Sequence, residues 1–434
     1  MTDFDVVVVG GRCAGSPVAV MLARRGLRVC VVDKSEFPSE TLSTHVIQPS
    51  GVAILERHGM LDAILEGGAV TLNRFTFVTD HARIDTGIDA YEFEAPSLSM
   101  RRVTLDHLLV EAAAAAGAEV RTGTRATGLL WDGDRVTGVE TAAGPLSARL
   151  VVGADGRNST VAGLVGAGEY YVAPPGRLFA WAYFEDARET EGRLRLGSLE
   201  DMAYVACPTD AGLYLAAVCP PMKEKDTFLS AREDNFKAGL EAWPELSDLL
   251  AGAKRVGPIR VMANWRGYFR EATGPGWVLL GDAGHFKDPS PAQGMADALR
   301  HAERLADVVV EGLGGAADLD ERLCRWWRWR DGDGYEMHWF ATDLGEPGSP
   351  PLAMQVVRDI ADDDEATEGL LRVLNHDIPP SDLFTPRRIG RAAARVARER
   401  PGEVPAMARE IATEASKQLD RALQRRARRR RLRV

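Results

Sequence analysis

An α/β fold is predicted, in which a Rossmann-like nucleotide domain is interleaved with an antiparallel β-sheet domain and followed by a helical C-terminal extension. Three observations carry this. A β-branched run, Val6-Val7-Val8-Val9, leads into the glycine turn Gly10-Gly11-Arg12-Cys13-Ala14-Gly15 and then into helical spacing. Two later apolar runs, Val151-Val152 and Trp277-Val278-Leu279-Leu280, also end in Gly/Asp segments, Gly153-Ala154-Asp155-Gly156 and Gly281-Asp282. Beyond residue 314 the texture is almost wholly helical.

In chain order, the valine run reads as a strand buried on both faces. Val18, Met21, Leu22 and Arg25 give helical spacing from Pro17 to a C-cap at Gly26. Leu27 to Val32 is a second strand ending at Asp33, and a right-handed crossover makes the two strands parallel neighbours. Arg74 to Val78 and Ile84 to Phe93 alternate or carry turn residues, as antiparallel strands do. Leu105 to Ala116 is helical, Glu119 to Arg121 is a strand, and Asp132-Gly133-Asp134 signals a hairpin. Leu178 to Val218 is β-rich and Ala231 to Leu250 helical. The expected division is 1–70, 101–170 and 266–314 for the nucleotide domain, 71–100 and 171–265 for the sheet domain, and 315–434 for the helical region.

Composition narrows the class. Asp plus Glu outnumber Lys plus Arg by 63 to 53, a net charge of −10, which argues against a nucleic-acid surface. No run approaches the roughly 18 apolar residues of a membrane span. The start Met1-Thr2-Asp3-Phe4-Asp5 lacks a secretory signal's basic opening and cleavage site. The five cysteines form no C-x-x-C pair and read as reduced thiols, so neither a disulfide scaffold nor a metal site is expected. The expectation is a cytoplasmic protein, monomeric or homodimeric.

The glycine turn offers backbone N–H groups and a positive helix end to a pyrophosphate. Gly10 permits the tight turn, Gly15 lets the helix pack close to the sheet, and Asp33 is placed to accept a ribose hydroxyl. The Asp155-Gly156 and Gly281-Asp282 segments suit the same ligand, although each alone also reads as a turn with an aspartate cap.

On these three motifs, from about Thr2 to about Gly314, the chain resembles the para-hydroxybenzoate hydroxylase-like family of group A FAD-dependent monooxygenases. Arg102-Val103-Thr104-Leu105-Asp106 is similar to the family's flavin-contacting segment. The resemblance implies non-covalent FAD in a single nucleotide fold, NAD(P)H as a transient electron donor and O2 as co-substrate. It further implies hydroxylation or epoxidation of a small aromatic or polycyclic substrate through a flavin C4a-hydroperoxide, with the sheet domain holding the substrate. It assigns the cofactor to Gly10, Arg12, Cys13, Ala14, Gly15, Asp33, Lys34, Thr44, Arg102, Ala126, Asp155, Gly281, Asp282, Pro289, Gln293, Gly294 and Met295. No catalytic base is assigned. His45, Lys287 and Pro289 are candidates for the flavin edge. Phe179, Trp181 and Tyr183 share one strand face, either roofing a substrate cavity or filling a core. A flavin-dependent reductase of the geranylgeranyl-reductase type and a non-catalytic flavin-binding interaction protein are the alternatives.

Departures from the family pattern matter. Arg12 stands where a glycine is usual, so its side chain must project sideways, onto a phosphate, an acidic residue or solvent. Pro291-Ala292-Gln293-Gly294-Met295-Ala296 lacks two glycines and an asparagine, which implies a stiffer loop, and His301 stands where Asp is common. Trp326, Trp327 and Trp329 precede Arg330-Asp331 where a halogenase motif has Ile-Pro, and read as helix-packing anchors. Asp362-Asp363-Asp364-Glu365 reads as a solvated helix start. Met407, Ile411, Ala415, Leu419 and Leu423 predict an apolar packing face, and Arg425 to Arg433 a solvated tail, with an anionic membrane surface or an acidic partner as the other readings.

Overall fold

A computed structural model of the chain describes residues 2–431 except 44, 190, 316 and 317, with side chains described to 428. The valine run forms β1 (Phe4–Val9), which pairs in parallel with β2 (Val29–Val32) on one side. Helix α1 (Gly15–Ala23) joins them. β2 continues to β3 (Glu119–Arg121), while the other side of β1 pairs in parallel with β4 (Gly144–Gly153), and β4 with β5 (Trp277–Leu279). Val6, Val7 and Val8 are fully buried because helices cover the sheet, so nothing in this run alternates. Gly10, Gly153 and Gly281 thus all lie at the C-terminal ends of adjacent parallel strands, where an open α/β sheet holds its ligand. Helices α2 (Arg102–Ala115) and α3 (Gly294–Gly314) pack against α1.

A second, seven-stranded sheet has the path 254–262, 179–185, 213–219, 202–209, 193–199, 74–79, 83–87. It is not wholly antiparallel. Arg193–Leu199 runs parallel to Arg74–Thr79, because the latter strand arrives from an earlier chain segment rather than through a hairpin. Along Phe179–Glu185, Ala180, Ala182 and Phe184 pack beneath the helices Arg232–Glu241 and Pro244–Leu249. Phe179, Trp181 and Tyr183 point the other way, into a core shared with the C-terminal helices.

Those helices include α4 (Leu319–Leu344), α5 (Asp364–Leu374) and α6 (Val404–Arg431). Trp326 and Trp327 are buried anchors of α4, and half-buried Trp329 lies under the Arg304 guanidinium. Asp363 caps α5 through the Ala366 N–H, and the acidic run around it is exposed. The expectation for α6 is corrected. Met407 packs into the core, but from Ile411 onward the apolar stripe faces outward, with Ile411 44%, Leu419 61% and Leu423 55% exposed. The packed face is instead cationic: Arg421 lies over Trp339, Arg425 over Tyr335, and Arg428 over both Tyr170 and Trp327 at 4.0 and 4.7 Å. Long aliphatic stems and planar guanidinium groups cover aromatic rings as apolar side chains would, so part of the arginine run packs against the body.

A Cβ on Gly15 would sit 1.8 Å from the Gly10 carbonyl oxygen, whereas one on Gly163 would meet nothing within 4 Å. Gly15→Ala is expected to destabilise by about 1–3 kcal/mol through overpacking, while Gly163→Ala stabilises a helix by up to about 1 kcal/mol. Denaturant unfolding of both variants checks the contrast.

Candidate active site

A cavity of about 580 Å3 extends from the turn after β1 to the strand Phe179–Glu185. A larger outer cleft, about 1020 Å3, crosses the surface of α3, but its walls are charges that neutralise one another, such as Arg57–Glu303 and Arg25–Asp307. The inner cavity combines apolar walls with a few polar groups, as ligand sites do.

At its nucleotide end, Gly10 adopts φ +103°, and a Cβ there would lie 2.4 Å from the Ala154 carbonyl oxygen. Gly10, Cys13 and Ala14 form wall, while Gly15 packs behind it. Burial pushes the Cys13 thiol up to about 11, leaving it an unreactive neutral group. Asp33 accepts the Gly11 N–H and the Ser35 N–H, both at 2.8 Å, and keeps lone pairs toward the cavity it borders. Lys34 is an exposed wall residue, and Ala126 a buried one. Thr44 lies outside the described residues. Asp155 borders the cavity, but its carboxylate caps the helix Thr160–Leu164, accepting from Thr160 N–H at 2.6 Å and Val161 N–H at 3.2 Å.

Arg12 reaches sideways onto an acidic residue. Its guanidinium donates to Asp106 at 2.6 Å and to Ser39 Oγ at 2.7 Å, and it lies 5.2 Å over the Phe37 ring. Asp106, with no exposed surface, also accepts three bonds from Arg102, at 2.9, 2.8 and 3.1 Å, and Arg102 donates onward to Ser43. Despite burial, the Asp106 carboxylate holds Arg102 firmly in its charged form.

Toward the middle of the cavity, Gly281 adopts φ +60°, and Asp282 follows it on the wall. Burial pushes the Asp282 carboxyl up, while Arg102 and Arg157 pull it back. Helix α3 begins here, with Gly294 and Met295 on the wall, and a Cβ at Gly294 would project into open space. Pro289 is also wall. Ala292 takes φ +54°, a left-handed geometry that a glycine would adopt without strain. Gln293 is corrected: its side chain does not line the cavity. The amide donates to the carbonyls of Val373 and Leu374 at 2.8 and 3.0 Å and accepts from Lys287. Lys287 itself borders the cavity, but its ammonium is paired with Asp297 at 2.6 Å.

At the far end, Phe179, Trp181, Leu215 and Met262 make an apolar wall with His45 among them. Tyr183 stands outside the wall and hydrogen-bonds His45 Nε2. His45 Nδ1 is buried with no partner among the described residues. Burial, reinforced by Arg102, pushes the His45 imidazole down to about 3.

These features fit FAD. The Gly10 turn leaves no room for a side chain, the open space at Gly294 admits a flat ring beside a helix N-terminus, and Arg102 and Asp282 supply polar partners between the two ends. His285, Phe286, Asp297 and His301 also border the cavity. His285 follows the Gly281-Asp282 motif, and that adjacency is the signal by which sequence reasoning could have placed it.

Two outcomes follow. Asp282→Ala is expected to weaken FAD retention by about 1–3 kcal/mol through a lost buried hydrogen bond, measured by titrating apo-protein with FAD. Burial also holds His45, His285, His301 and His338 below their ordinary 6.5. The unfolded chain then binds more protons, so the stability from these groups is complete above about 6.5 and is lost as pH falls, by up to about 1.4 kcal/mol per pH unit per histidine. Asp288, pushed up by burial to about 6, and Asp282, also pushed up by burial, oppose this with two groups against four. Melting temperature should therefore fall between pH 7 and 5, as thermal scans will show.

Comparison with known proteins places this geometry. Residues 3–323 match the family described as FAD binding domain. The 6-methylpretetramide 4-monooxygenase of Streptomyces rimosus is 29% identical over 333 residues, 74% of this chain and 78% of that protein. Rifampicin monooxygenase of Streptomyces venezuelae is 29% identical over 330 residues, and the match spans 72% of this chain but only 65% of that longer protein. A flavin-dependent brominase structure aligns at a TM-score of 0.72 with 19% identity, over 92% of this chain and 100% of its own, which shows a shared fold. The chain belongs to the FAD binding domain family and is an FAD-dependent oxidoreductase of the group A monooxygenase kind.

Proposed function

We propose that this protein uses NAD(P)H and O2 to place one oxygen atom on an aromatic or polycyclic substrate of the polyketide kind. The observation that carries the reading is one continuous cavity, with the nucleotide turn at one end and the Phe179, Trp181 and Met262 wall at the other. The relatives named for monooxygenation of 6-methylpretetramide and rifampicin support that substrate class.

The residues divide the task. Backbone N–H groups of the Gly10–Gly15 turn and the positive end of α1 hold the pyrophosphate, and Asp33 accepts from the ribose. Arg102 and Asp282 hold the central part of the cofactor, and the N-terminus of α3 favours negative charge beside the ring. Flavin, when bound, supplies two-electron exchange with the nicotinamide and the activation of O2. The apolar wall excludes water from the reacting groups. His45, kept neutral and fixed by Tyr183, presents Nδ1 to a polar group of the substrate.

The test is turnover of FAD-loaded protein with NADH or NADPH and a panel of polycyclic phenols, including rifampicin, under isotopically heavy O2 and with bromide present. The expected product carries one heavy oxygen atom and no bromine. A brominated product would assign halogen transfer, and a reduced product formed without O2 would assign the reductase alternative; either replaces this reading.

A further inference from the structure

Beneath the α3 N-terminus a chain of ionisable side chains leads from the cavity to the outer cleft. Lys287 and Asp297 border the cavity and pair at 2.6 Å. The other oxygen of Asp297 meets His376 Nδ1 at 2.9 Å. His376, in the loop after α5, directs Nε2 at Asp333 of α4, 3.2 Å from its carbonyl oxygen and 3.8 Å from carboxylate Oδ2. Asp333 accepts from Arg300, which borders the outer cleft, at 3.0 Å. His376 is 7% and Asp297 6% exposed.

A purely structural network would satisfy its buried groups. Here Asp333 Oδ2 has no hydrogen-bond partner among the described residues and lies within 3.8 Å of His376 and 3.6 Å of His301, whose Nε2 is likewise unpartnered. The charged and titratable groups around His376 are Asp297, Arg300 and His301 of α3, Asp333 of α4, Lys287 before α3, and Arg372 and Asp377 on its own segment. Although burial works against it, Lys287 and His376 hold Asp297 well below the ordinary carboxylate range, so its resting state is a carboxylate that receives a proton only in passing.

We propose that Asp333, His376, Asp297 and Lys287 form a proton relay from the outer cleft to the reacting centre. The inference rests on the monooxygenase reading. In that reaction the organic substrate, O2, the reduced nicotinamide and one proton give hydroxylated product, water and oxidised nicotinamide, so one proton must reach the reacting centre per turnover. An N–H bond of Lys287 breaks as an O–H bond forms on a reduced oxygen atom in the cavity. His376 Nδ1 gives its proton to the Asp297 carboxylate, which passes it on to Nζ and is left a carboxylate again. His376 Nε2 then takes the proton that reaches Asp333 from solvent in the cleft, and a half-turn of the imidazole carries this N–H back to Asp297 and restores the starting state.

The test mixes photoreduced holoprotein, without substrate, with O2 in weak buffer holding a pH indicator, so that flavin absorbance and proton uptake are read together. The O2 is reduced to hydrogen peroxide, and the anionic reduced flavin takes up one proton from solvent per flavin oxidised. His376→Asn keeps a donor to Asp297 but carries no mobile proton, and is expected to slow proton uptake on the order of tenfold or more with FAD content unchanged. His376→Ala should be slow and regain rate with added imidazole. Should these variants not retain flavin, the wild-type rate in mixed light and heavy water decides, where a curved dependence on deuterium fraction indicates several moving protons. Unchanged uptake in His376→Asn, or a linear dependence, overturns the relay alone. A wild-type flavin that O2 does not reoxidise overturns the monooxygenase reading and the relay with it.

Discussion

With no surface of its own, the Asp106 carboxylate takes Arg102 through three hydrogen bonds and Arg12 through one, so a single buried anion fixes two guanidinium groups on the cavity wall. Removing one charge from such a group leaves the others unpaired in a low dielectric, at a cost of roughly 3–5 kcal/mol. The arrangement ties together three distant pieces of chain. The turn after β1 is held through Arg12, the segment 35–43 through Ser39 and Ser43, and α2 through Arg102. It also explains how the turn tolerates a long side chain: the guanidinium is drawn off the turn onto Asp106 and Ser39.

The opposite wall is fixed from outside the matched family region. Gln293 donates to the last carbonyls of α5, Ser50 binds Asn375, and His376 meets Asp297. The C-terminal helices are thus coupled to the start of α3, the element whose N-terminus borders the cavity. A shift of α5 would move that helix terminus, so residues beyond 323 take part in shaping the cavity. The cationic seam of α6 over Tyr170, Trp327, Tyr335 and Trp339 holds the far side of the same assembly.

Much of this was legible in the sequence because it is local. The strand, turn and helix from Phe4 to Val32, the Gly281-Asp282 segment, and the alternation of Phe179, Trp181 and Tyr183 each follow from backbone period and glycine geometry. Arg12 was readable as a side chain forced sideways, though its partner, 94 residues away, was not. Gln293 was misread because a helix-start glutamine looks like a ligand group, whereas the carbonyls of Val373 and Leu374 compete for its amide. On α6 the fourfold spacing of Leu and Ile suggested a packing face, but the surface awaiting the helix was aromatic and selected arginines. His376 belongs to no motif, and only tertiary packing brings it to Asp297.

The central claim is that the cofactor lies along the cavity between Gly10 and the start of α3, and a crystal structure of the FAD-loaded protein tests it most directly. The account predicts the pyrophosphate on the Gly10–Gly15 turn, Arg12 still on Asp106, and the ring beside Gly294 and Met295, facing the Phe179 and Trp181 wall. A ring placed elsewhere, or a phosphate that draws Arg12 away from Asp106, would contradict it.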